Sequence, residues 1–208
     1  MKRIWLMALA IIAIAVIAGG GATLALYSAG TAPQNSQFTA GTLKIDGQRD
    51  QGDSIPGPMF YVNEEQGIVE NGQQAFLRTG YWAPGDTFHR VLQVENTGSL
   101  DGWLKSVRAS LTSGNRALAD ILQVRITTDP DGINNLLPSD PSDPSRPISL
   151  GQLMDATVNF NNPISVDVGD VIDLHFWVTL PSDADNAYQD MSLVAGFTVN
   201  AEQKRNNP

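Results

Sequence analysis

Between Asp170 and Leu180 the apolar side chains fall at every second position, Ile172, Leu174, Phe176, Val178 and Leu180, with Asp173, His175 and Thr179 between them. A period of two predicts a β-strand with one face in a core. Met191, Leu193, Ala195, Phe197 and Val199 repeat the pattern over 191–201. The two apolar faces are expected to pack on each other, within one sheet or across two. Asp86–Asn96 reads as a third strand with Phe88, Leu92 and Val94 inward. It stops at Asn96-Thr97-Gly98-Ser99, residues that favour turns, before Trp103, Val107, Ala109 and Leu111 resume the alternation, which predicts a hairpin.

Shorter strand candidates are Phe38–Asp46, Met59–Val62, Ala75–Trp82, Leu122–Thr128 and Ile164–Val168. Helical signals are confined to Arg116–Leu122 and Leu150–Asp155, each long enough only to connect strands. Residues 129–147 are rich in Pro, Asp and Ser; proline lacks the backbone donor that a sheet needs, so this stretch is expected as an exposed loop. The sum is roughly eight or nine strands with turn signals at short intervals, which favours an all-β, jelly-roll-like antiparallel β-sandwich with one or two short connecting helices.

The longest apolar run lies elsewhere. Lys2 and Arg3 precede an uncharged stretch from Ile4 to Ala18, the cationic start and apolar body of a secretory signal. Gly19-Gly20-Gly21 then breaks the helix, and Thr23-Leu24-Ala25 has the small residues that signal peptidase accepts. Residues 1–25 are therefore expected as a signal peptide, cut between Ala25 and Leu26, with an uncleaved membrane anchor as the rival. Residues 26–37 are then an N-terminal extension, 38–201 the folded domain and 202–208 a C-terminal tail.

Charge narrows the partners. The formal net charge is −9, and removing Lys2 and Arg3 with the signal makes it −11. A binder of nucleic acid needs a basic patch to displace counterions, and the basic residues do not cluster beyond Lys204-Arg205. Nucleic acid is therefore not an expected partner, and membrane contact is expected only before cleavage. With no cysteine, an exported chain has neither disulfides nor Cys-zinc sites to hold it together.

Little else points to chemistry. The two histidines, His89 and His175, fall on the polar faces of strands rather than in the helical H-E-x-x-H pattern that grips zinc. They are expected as solvated surface groups, able to join a carboxylate around a metal only if their strands are neighbours. Asp129-Pro130-Asp131-Gly132 lacks the spacing and twelfth-position glutamate of a calcium loop. No G-x-S-x-G and no glycine-rich phosphate loop is present. No catalytic residue, cofactor or metal is expected.

Several stretches together resemble the TasA/camelysin family of exported biofilm-matrix fibre proteins: Gly19-Gly20-Gly21-Ala22-Thr23, Phe38-Thr39-Ala40-Gly41-Thr42-Leu43, Pro84-Gly85-Asp86, Val94-Glu95-Asn96-Thr97-Gly98-Ser99-Leu100, Tyr188-Gln189-Asp190 and Phe197-Thr198-Val199-Asn200-Ala201-Glu202-Gln203. The resemblance implies a secreted jelly-roll subunit that polymerises head-to-tail, the N-terminal segment of one copy adding as a strand to the next. Leu26, Tyr27, Ala29 and Thr31 would form the donor strand, and Pro33 would sit at a non-donating position or end it. The implied partners are further copies of the chain and accessory matrix proteins, in the extracellular matrix and at the cell surface. Two other functions stay open: a camelysin-type cell-surface metallo-endopeptidase, which the shortage of histidines disfavours, and a membrane-anchored monomeric adhesin.

Overall fold

The computed structural model describes residues 41–49, 58–62, 79–188 and 190–204. Among them are seven strands in two antiparallel sheets and two short helices: β1 (Ile45–Arg49), β2 (Thr87–Asn96), β3 (Gly102–Gly114), α1 (Arg116–Ile121), β4 (Gln123–Thr127), α2 (Leu150–Asp155), β5 (Val158–Val166), β6 (Val171–Thr179) and β7 (Leu193–Gln203). One sheet has the order β1-β2-β6-β4 and the other β5-β3-β7. The fold is thus an all-β sandwich, with both helices connecting strands.

Alternation explains the core. Leu174, Phe176 and Val178 on β6 and Val124 and Ile126 on β4 are fully buried or nearly so, and they meet Leu104, Val107, Leu193 and Ala195 of the other sheet in one apolar cluster. Phe176 and Phe197 touch across the sandwich with ring centroids 4.7 Å apart. The apolar faces of β6 and β7 therefore pack between sheets rather than within one.

The expected hairpin does not form: β2 and β3 follow one another across a short turn but pair with other strands and belong to different sheets, so the turn crosses between the two layers. Asn96, wholly buried, fixes that corner. Its side-chain amide donates to the carbonyls of Leu100 (2.9 Å) and Val166 (3.1 Å), and its Oδ1 accepts from the Gly98 N–H (3.0 Å). Gly98 is needed for close approach, because a Cβ there would lie 2.3 Å from the Thr42 carbonyl oxygen.

Other expectations change as well. Met59–Val62 is no strand and gives only a bridge at Phe60, and residues 79–82, the described part of the Ala75–Trp82 candidate, are not strand. Residues 41–44 are not strand: Thr42 and Lys44 bond the turn through the N–H groups of Ser99, Leu100 and Thr97, and β1 starts only at Ile45. The last sheet strand before β6 starts at Val158, not Ile164; Asn159, Asn161, Asn162 and Pro163 read as a turn, yet they occupy an edge strand where a missing donor is tolerated. Trp103 does not continue the inward run of Val107 and Ala109. A register shift between Leu104 and Ser106 changes the parity, so Leu104 is buried and Trp103 is 38% exposed.

Residues 129–147 form a loop, as expected. It is tied down by Leu136, which donates to the Ile126 carbonyl at 2.8 Å, and by a bridge between Ser139 and Pro147. Beyond it Ser149 caps α2. Its hydroxyl accepts from the Gln152 N–H, and the Gln152 side chain accepts from the Ser149 N–H, a reciprocal box that satisfies two otherwise unpaired donors.

Candidate functional site

An open sheet edge is the first feature capable of recognition. β7 pairs along its whole length with β3. On its other side, among the described residues, only the start is covered: Phe60 and Ala195 exchange two backbone hydrogen bonds, at 3.0 and 2.8 Å. Along a strand the backbone groups face alternate sides, so the N–H and C=O of Phe197, Val199 and Ala201 point the same way as those of Ala195. None of the three meets a partner strand on that side among the described residues. Their side chains point toward the core, yet Phe197, Val199 and Ala201 are only half-buried. Edge and apolar shelf coincide.

Other edges are better closed or less apolar. β4 is flanked by the Val124–Ile148 and Leu150–Leu122 backbone bonds. β5 carries Pro163, exposes Asn159, Asn161 and Asn162, and is held on its outer side by Asn161, whose N–H donates to the Leu136 carbonyl and whose side-chain amide donates to the Leu137 carbonyl. β1 is short and ends where the described residues stop.

A second feature lies on the outer face of the four-stranded sheet. β2 and β6 are neighbours, with His89 opposite Trp177 and Val91 opposite His175. Nε2 of His89 and Nδ1 of His175 are 2.9 Å apart. Their ring planes differ by 10° at a centroid separation of 5.1 Å, so the rings meet edge to edge and nearly coplanar, joined by an N–H···N bond. His89 stacks on Trp177, centroids 4.0 Å apart and planes 17° apart. The histidines are not the solvated groups expected from the sequence: His175 is 7% exposed and His89 half-buried. Burial, then His175 and Arg90, holds His89 below its ordinary value of 6.5.

The carboxylate that shares this face, Asp173, accepts from Gln93 Nε2 at 3.0 Å rather than from an imidazole. No group of three or more His, Asp or Glu side chains among the described residues could hold a metal. A cleft beside α1 is lined by Ile121, Arg146, Pro181, Asp183, Ala184 and Tyr188; its cation is already engaged, by Asp183 at 2.7 Å and Asp143 at 3.3 Å.

Arg90 went unremarked in the sequence because it interrupts the apolar parity of β2. It is 7% exposed, faces the core, donates to the His89 carbonyl at 2.8 Å and lies 5.8 Å from the Phe60 ring centroid. The cleavage pair Ala25 and Leu26, and the donor-strand residues Leu26, Tyr27, Ala29 and Thr31, lie outside the described residues.

No protein-family model matches the chain, and no curated protein does. The resemblance to fibre proteins rests on the quoted stretches alone.

Proposed function

We propose that this chain is a secreted structural subunit of extracellular biofilm-matrix fibres, polymerising head-to-tail by donor-strand addition on a jelly-roll-type sandwich. The observation that carries this reading is the edge of β7 from Phe197 to Ala201, where backbone groups that meet no partner strand among the described residues adjoin a half-buried apolar shelf. An open edge of this kind is a template for another strand, and strand addition draws affinity from main-chain bonds and register from alternate side chains. Residues 26–37 carry no charge and begin with Leu26 and Tyr27, which suits them to that shelf. A contact between two different surfaces propagates into a filament unless its rotation closes a ring.

The test is Val199→Pro. Its N–H faces the open side, so a proline there removes a donor that the incoming strand would use without breaking a bond to β3. The variant is expected to stay folded by circular dichroism and to lose fibres in electron micrographs. Fibres of unchanged abundance and subunit spacing would exclude β7 as the acceptor.

A further inference from the structure

His89 and His175 stand on different strands, and their bond is a cross-strand tie on the outer face of the four-stranded sheet, where Val91 and Thr127 opposite His175 are also buried. The neutral pair has one proton between two facing nitrogens, so one donates and the other accepts. With both rings protonated, each facing nitrogen carries a hydrogen and no acceptor remains. The two positive rings would then confront each other in a largely buried place, where like charges are costly.

Nothing nearby compensates. On β6, Asp173 is occupied by Gln93 of β2. On β4, Arg125 lies opposite Trp177 and Thr127 opposite His175; Arg125 adds positive charge and donates to the Gly132 carbonyl at 3.0 Å. From the other face of β2, Arg90 reaches the His89 carbonyl. In the adjoining loop, Asp129 accepts from the Ile133 N–H at 3.4 Å and Asp131 is exposed. Glu95 of β2 pairs in register with Val171, four residues along β6 from His175. Neither imidazole forms an ion pair with any described carboxylate.

The tie also reaches the loop. Trp177 stacks on His89, its indole N–H donates to Thr127 Oγ1 at 3.4 Å, and Thr127 Oγ1 donates to the Asp129 carbonyl at 2.7 Å. Gly132 packs so closely on Trp177 that a Cβ there would sit 3.2 Å from the indole. Trp177 is the link between the imidazole pair and the start of the 129–147 loop.

We infer that His89, His175 and Trp177 form a proton-operated latch: closed while the imidazoles share one proton, opened when both are protonated, and releasing the seat of residues 129–132 as it opens. The depressed affinity of His89 for protons fits this arrangement. A His held neutral by folding contributes stability that is complete above its ordinary value and is lost as pH falls through its lower folded value, so the latch opens on the acid side of 6.5.

The chain has only two histidines, so imidazole carbon-bound proton NMR signals report the pair without overlap. A titration from pH 8 to pH 4 on the full chain is expected to show the two sets of imidazole signals responding together in two coupled steps rather than as independent sites. The Trp177 indole N–H signal, assigned by its loss in Trp177→Phe, should shift with the lower step. In His175→Gln, His89 should titrate in a single step above that lower one; His89→Gln gives the reciprocal test should the first variant fail to fold. Two independent titrations, each unmoved by replacement of the other histidine, or an indole signal constant through the lower step, would overturn the latch.

Discussion

Replacing Phe176 with alanine tests the packing of the sandwich most sharply. Phe176 is 0% exposed, stands between Arg90 on β2 and Ile126 on β4 in the register of its sheet, and meets Phe197 of the opposite sheet at 4.7 Å. A buried aromatic removes about 150 Å² or more from water, worth roughly 4 kcal/mol at about 25 cal/mol per Å². Adding the cavity left behind keeps Phe176→Ala in the range of about 3–5 kcal/mol. For a chain of this size that lowers the melting temperature by about 6–20 °C. Phe197 is half-buried, so its truncation should cost about half as much, near 2 kcal/mol. A double-mutant cycle should recover a coupling of about 0.5–1.5 kcal/mol between the two rings. Urea unfolding followed by circular dichroism measures all three. A loss under about 1 kcal/mol at Phe176, or a larger loss at Phe197 than at Phe176, would refute the cross-sandwich contact.

Two further outcomes follow from single residues. Gly114 ends β3 at φ +99°, and a Cβ there would lie 2.3 Å from the Ser192 carbonyl oxygen; Gly114→Ala should cost at least about 1–3 kcal/mol in the same unfolding assay, and a neutral result would place that turn differently. Asp167 is held below the ordinary carboxylate value of 3.8 by Lys204 and then Ser165, and Asp46 likewise by Lys44 and then Thr97. A carboxyl whose folded value is depressed contributes stability above its ordinary value and loses it as pH falls through the lower one. Acid unfolding should therefore steepen below about pH 3.8, separately from the histidine step, and Asp167→Asn should flatten that limb; an unchanged limb would show that the Lys204 contact does not persist in solution.

Where each apolar position had a polar neighbour, as in β6 and β7, the strand and its inner face were legible directly. The helices were legible for a different reason, as short stretches between turn signals that do not keep a period of two. Parity failed where the backbone does something that side chains do not announce. The bulge between Leu104 and Ser106 turns Trp103 outward, and β5 hides behind Asn159–Pro163 because an edge strand needs neither alternation nor every donor. The histidine pair was legible only as a condition, since His89 and His175 are 86 residues apart and only the pairing of β2 with β6 joins them. The open side of β7 has no local signature at all. It is a property of which strands meet, and Phe197, Val199 and Ala201 look from sequence like any other inward set.

The central claim concerns assembly, and electron microscopy of the purified chain starting at Leu26, with and without residues 26–37, tests it most directly. Donor-strand addition predicts fibres of regular subunit spacing from the chain that begins at Leu26, and a folded, monodisperse monomer from the chain that begins at Phe38. Fibres of the same spacing from the shortened chain would contradict the account, because the donor would then lie elsewhere.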